Sequence, residues 1–121
     1  MPQAKVRKAA AFAAAFLLST PLAAYAHHGW SSYDAAKPMT VEAKVKSAAY
    51  RNPHGEITVE HAGKVWTVVL APVSRMDARG LKAADVEIGK TVTVYGYPRN
   101  DGVAELRAER ITAAGKTVEL R

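Results

Sequence analysis

The chain has 121 residues, no cysteine and a formal charge of +6. Without cysteine it can build neither a disulfide framework nor a thiolate metal site, and lipoprotein processing, which needs a cysteine at the new terminus, is excluded. Lys5, Arg7 and Lys8 supply three of the positive charges, so the chain from residue 27 on carries about +3, its lysines and arginines interleaved with glutamates rather than gathered with aromatics as a nucleic-acid surface would have them.

The first 26 residues read as a secretory signal peptide. Lys5, Arg7 and Lys8 precede an apolar stretch from Ala9 to Leu18, and Pro21 breaks any helix ahead of Ala24-Tyr25-Ala26. That stretch is about half the length a membrane span requires, and small-x-small before a polar start is the pattern that signal peptidase cleaves. Cleavage after Ala26 would leave a soluble, exported, periplasmic protein beginning at His27, with no membrane anchor. Residues 27 to 39 then form an N-terminal tail, in which Trp30 and Tyr33 are spaced to anchor the chain by burying their rings.

From residue 40 to 121 the patterning is that of a single β domain. Val41-Glu42-Ala43-Lys44-Val45-Lys46 alternates apolar and charged residues, the period of a half-buried strand, and runs to about Tyr50. Asn52-Pro53-His54-Gly55 is a turn, since Pro53 disfavours the helical region for Asn52. Glu56 to His61 and Lys64 to Leu70 make a hairpin across Ala62-Gly63, with Trp66 as a large core or rim residue. Pro72 to Arg79 reads as a short helix capped by Ser74 and ended by Gly80. Thr91 to Tyr97 is a strand terminated by Pro98, Asn100-Asp101-Gly102 a hairpin turn, Ala104 to Thr112 a strand, and Thr117 to Leu120 a last short one.

Three strands, a short helix, then two or three strands is the order of an oligonucleotide/oligosaccharide-binding (OB) barrel, which takes ligands on strands 2–3 and on the loops joining strands 1–2 and 4–5. The expected fold class is therefore all-β with one short helix, as a small OB-like barrel. An open sheet or sandwich with an edge helix is the alternative. The first barrel loop would be residues 52–55 and the second residues 99–102.

His27-His28-Gly29-Trp30-Ser31-Ser32-Tyr33-Asp34, followed by Asn52-Pro53-His54, Trp66, and the strand bearing Gly89 and Gly96, resembles a family of small exported bacterial proteins catalogued as domain of unknown function 6152. The resemblance covers essentially the whole chain after residue 26, and it implies no settled activity. The chain departs from that family's pattern at Trp30 and Tyr33, where the family has Phe, and at His61-Ala62-Gly63, where it has Asp-Gly, which sets His61 apart from any shared site.

The chemistry is argued from the histidines. A terminal His27 would offer its α-amine, which titrates near about pH 8, together with its ring nitrogen. Tetragonal nitrogen donors favour Cu(II) or Ni(II). Two arrangements remain open: a chelate by the His27 amine and ring with His54 opposite, or the amine, a deprotonated amide and the His28 ring, with His54 completing the square. The candidate metal ligands are thus His27, His28 and His54, and copper is the expected ion. No nucleophile elbow and no phosphate-binding glycine loop is present, and the chain reads as a non-enzyme. The alternative function is a binding or adaptor module for a periplasmic peptide, glycan or protein partner.

Overall fold

In the first strand, Val41 and Val45 turn inward while Glu42, Lys44 and Lys46 stay in solvent, so an eleven-residue strand, β1 (Met39–Ala49), lays one apolar edge into a core. The computed structural model describes residues 29–121. β2 (Glu56–His61) and β3 (Lys64–Val69) form an antiparallel hairpin in which Val59 faces Trp66 and His61 faces Lys64. Its two-residue turn puts Ala62 at φ 50° and Gly63 at φ 76°, the left-handed pair that a tight hairpin demands.

After β3 the chain turns through helix α1 (Val73–Ala78) and a 3-10 turn (Ala83–Val86) before β4 (Thr91–Pro98), β5 (Glu105–Ala113) and β6 (Lys116–Glu119). Ser74 does not cap α1. The helix begins at Val73 behind Pro72, whose φ of −55° already suits helix entry, and the Val73 amide donates to the Asn52 side-chain oxygen at 3.4 Å. Met76, the buried residue of α1, and Leu81 just beyond it close the hydrophobic core with Ile57, Val68, Leu106 and Ile111. Among the described residues no helix is long and apolar enough to cross a membrane.

The sheet order is β3-β2-β1-β4-β5-β6, and β3 also pairs in parallel with β5, Thr67 to Glu105 and Val69 to Arg107. That parallel contact joins the two ends of a five-stranded sheet into a barrel and rules out the open-sheet alternative. The OB-like architecture is the one observed, with β6 added outside the closed ring along the second half of β5.

A close approach shapes one wall. Gly96 sits where the β4–β5 register slips by one residue, and a Cβ there would collide with the Arg107 carbonyl oxygen and lie 2.9 Å from the Ala108 Cα. Only glycine lets the two backbones meet at this bulge.

Candidate binding cleft

Strand register places four side chains in one row on the outside of the barrel. Glu56 on β2 faces Val69 on β3, Val69 pairs with Arg107 on β5, and Arg107 pairs with Tyr97 on β4. Outward residues of a barrel normally meet water, yet Val69 is 8% exposed and Arg107 9%. Neither belongs to the barrel core. They are covered from outside.

Over Arg107 the cover is the N-terminal tail. One 3-10 turn (Trp30–Ser32) leads into Tyr33, which forms an antiparallel bridge with Arg99 in the loop between β4 and β5. The Asp34 amide donates to the Pro98 carbonyl at 2.8 Å, and Asn100 returns two bonds, its amide to the Ser32 carbonyl and its side-chain nitrogen to the Ser31 carbonyl, both 3.0 Å. Pinned in this way, the tail lays Trp30 against Arg107, the guanidinium carbon 4.6 Å from the ring centroid, while Tyr33 approaches the same guanidinium at 5.9 Å. The Arg121 guanidinium lies 4.5 Å from the Trp30 ring, and Tyr97 meets that ring edge-on at 6.0 Å. Tyr33 meets the expectation of a buried anchoring ring, at 6% exposed, whereas Trp30 is half-buried and holds the tail through its contacts with Arg107, Arg121 and Tyr97.

Beside this seam opens a cleft of about 340 Å³. Tyr33 forms one wall, Pro53 and His54 of the first barrel loop another, and Glu56, Val69, Glu105 and Arg107 the floor. Its position, on strands 2–3 and beside the first of the two loops expected to carry ligand, is that of the OB binding face.

The electrostatics of the floor are asymmetric. Glu105 is committed: it accepts the Tyr33 hydroxyl at 2.7 Å and lies 3.4 Å from an Arg99 nitrogen. Burial, and then that carboxylate, push the Tyr33 phenol well above its ordinary range, so it remains a neutral donor. Burial holds the Arg107 guanidinium below the usual arginine range, and the nearby cations Arg75 and Arg121 act in the same direction. It stays charged all the same, because arginine starts so high. Arg99 is gripped by Asp101 through 2.7 and 3.0 Å contacts, an arrangement that draws Asp101 down to about 2. On β4 the Tyr97 hydroxyl donates to Glu109 at 2.7 Å, and this bond, with burial, pushes its phenol up to about 12.

Of the residues singled out in the sequence, His54 lies half-buried on the cleft wall. Its loop contains a cis Asn52–Pro53 peptide and is tied at its end by Gly55, which exchanges backbone bonds of 2.8 Å with Ala71 and Leu70. His27 and His28 lie outside the described residues. His61 stands at the hairpin end, packed edge-on against Trp66 at 6.4 Å and away from the cleft. Among the described residues no group of three histidine, aspartate or glutamate side chains is gathered closely enough to hold a metal ion. Sequence reasoning missed Arg107 and Glu105. Alternation around Leu106 and Ala108 marks them only as outward-facing, and the tail that covers Arg107 is 74 residues away in the chain.

A chain of the crystal structure of the S. pombe Stn1-Ten1 complex superposes with a TM-score of 0.51 at 17% identity, covering 65% of this chain and 59% of that one. At that identity the likeness is one of fold. No curated protein matches the chain. Residues 13–107 match the model of a family of unknown function, DUF6152, and the chain belongs to that family.

Proposed function

We propose that this family member is an exported, periplasmic metal-binding protein that takes Cu(II) for sequestration or delivery. In this reading the ligands are the α-amine and ring of a processed His27, with His28 as the alternative ring donor, and His54 across the cleft. The observation that carries the reading is the placement of Tyr33, which lines the same cleft as His54 and so delivers the tail to the first barrel loop. His27 is three residues from Trp30, a span of at most roughly 10 Å of extended chain. Trp30 itself rests on Arg107, another cleft residue. Imidazole and a neutral amine are the borderline nitrogen donors that suit a tetragonal Cu(II) ion.

The test compares two forms of the protein beginning at His27, one with a free α-amine and one with that amine acetylated, by competition for Cu(II) against a chelator of known affinity. Acetylation turns the amine into an amide and removes the chelate, so affinity should fall by at least about tenfold, equivalent to about 1.4 kcal/mol. Equal affinities would contradict the reading. A non-catalytic binding module is the second reading, favoured by the row of Glu56, Val69 and Arg107 on the OB binding face, exposed at Glu56 and covered at Val69 and Arg107.

A further inference from the structure

We infer that the cleft binds a small aliphatic amino-carboxylate, with the carboxylate on Arg107 and the ammonium on Glu56. The inference concerns the cleft floor and stands apart from the copper reading, which uses its wall.

Arg107 is prepared for an oxyanion. Trp30 and Tyr33 hold its guanidinium by stacking, which limits the rotamer freedom a ligand would otherwise have to remove. It is withdrawn from water, where a charge-assisted bond is worth more than at the surface. Glu105, its neighbour on β5, accepts from Tyr33 and faces Arg99, and its charge is felt at Arg107 together with those of two cations, Arg75 and Arg121, so three guanidinium groups stand against one carboxylate. The field at this end of the cleft therefore favours an anion. Planar guanidinium and carboxylate match as a two-bond fork.

The other end favours a cation. Glu56 opens β2 on the exposed rim and makes no ion pair among the described residues. Between the two charges lie Val69 and the Tyr33 ring, an apolar midsection. The spacing follows from register: Glu56 pairs with Val69 and Val69 with Arg107, so the two charged residues are two strand separations apart, about 10 Å between their backbones. An α-amino acid, with adjacent charges, would satisfy one end only. A chain of several methylenes between ammonium and carboxylate would meet both ends and lay its apolar part on Val69.

The probes are 6-aminohexanoate, hexanoate and glycine, titrated calorimetrically into the processed full chain after treatment with EDTA, with amide chemical shifts recorded in parallel. Metal removal keeps a failed copper reading from affecting the result. Saturable binding of 6-aminohexanoate that shifts the Val69 and Tyr33 amides is expected, with hexanoate and glycine each at least about tenfold weaker. Glu56→Gln should bring 6-aminohexanoate down to the affinity of hexanoate and leave hexanoate unchanged. Arg107→Lys should weaken both by about tenfold, its fold checked by the dispersion of the same spectra. No saturable binding of 6-aminohexanoate, binding indifferent to both substitutions, or shifts confined to another face would overturn the inference. Hexanoate binding as tightly as 6-aminohexanoate would overturn the assignment of Glu56.

Discussion

Replacing Trp30 with alanine removes the centre of the seam that holds the tail on the barrel. The ring contacts two guanidinium groups, Arg107 at 4.6 Å and Arg121 at 4.5 Å, and Tyr97 edge-on at 6.0 Å. The Arg107 contact is desolvated and worth up to about 2 kcal/mol, the Arg121 contact lies on an exposed residue and is worth about 0.5 kcal/mol, and the aromatic pair adds about 1 kcal/mol. The total is up to about 3.5 kcal/mol. If the tail unfolds together with the barrel, Tm should fall by roughly 10 to 20 °C for a domain of this size. If the tail opens on its own, the loss is confined to its contacts, and the Asp34 and Asn100 amides that bond to Pro98 and Ser32 should lose about 100-fold or more of their protection from hydrogen exchange. Thermal melting and amide exchange on the same sample read both outcomes. A Tm unchanged within about 2 °C, with Asp34 and Asn100 as protected as in the parent, would refute the assignment of Trp30 as the anchor.

Gly96→Ala should cost at least about 2 kcal/mol in urea unfolding, because the colliding atoms are the Arg107 carbonyl and the Ala108 Cα, backbone that cannot rotate away. Met76→Ala should cost about 2 to 5 kcal/mol in the same assay, since the side chain is fully buried and its removal leaves a cavity under α1. Asp101 titrates lower in the fold than in the unfolded chain, so its contribution is present above pH 3.8 and is lost as pH falls toward 2. The difference in Tm between the parent and Asp101→Asn should therefore shrink through that window. Tyr33→Phe removes the 2.7 Å donor to Glu105 and should cost about 1 to 2 kcal/mol, with Arg99 left as partial compensation.

The strands were legible wherever alternation was regular: the Val41–Lys46 pattern, the Thr91–Tyr97 run and the Ala62-Gly63 turn all lie where periodicity and turn chemistry place them. Barrel closure was legible only as element order, because the parallel pairing of Thr67–Val69 with Glu105–Arg107 joins segments 38 residues apart and leaves no local mark. Ser74 misled because hydroxyl residues near a helix start usually cap it, whereas Pro72 fixes the entry here. The site divides along the same line. His54 could be named from its Asn-Pro-His-Gly turn, and the two tail aromatics from their spacing. The guanidinium they enclose could not, since an arginine between Leu106 and Ala108 reads as solvated until a distant segment is laid over it.

The copper reading turns on whether the tail and the first barrel loop share one ion. Cu(II) titrated into protein exported and processed in cells, its His27 terminus confirmed by mass, should show in electron paramagnetic resonance a single stoichiometric tetragonal site with nitrogen couplings. His54→Ala should reduce those couplings and the affinity together. A weak, heterogeneous spectrum that is the same in His54→Ala would contradict the reading and leave the chain as an OB-like binding module.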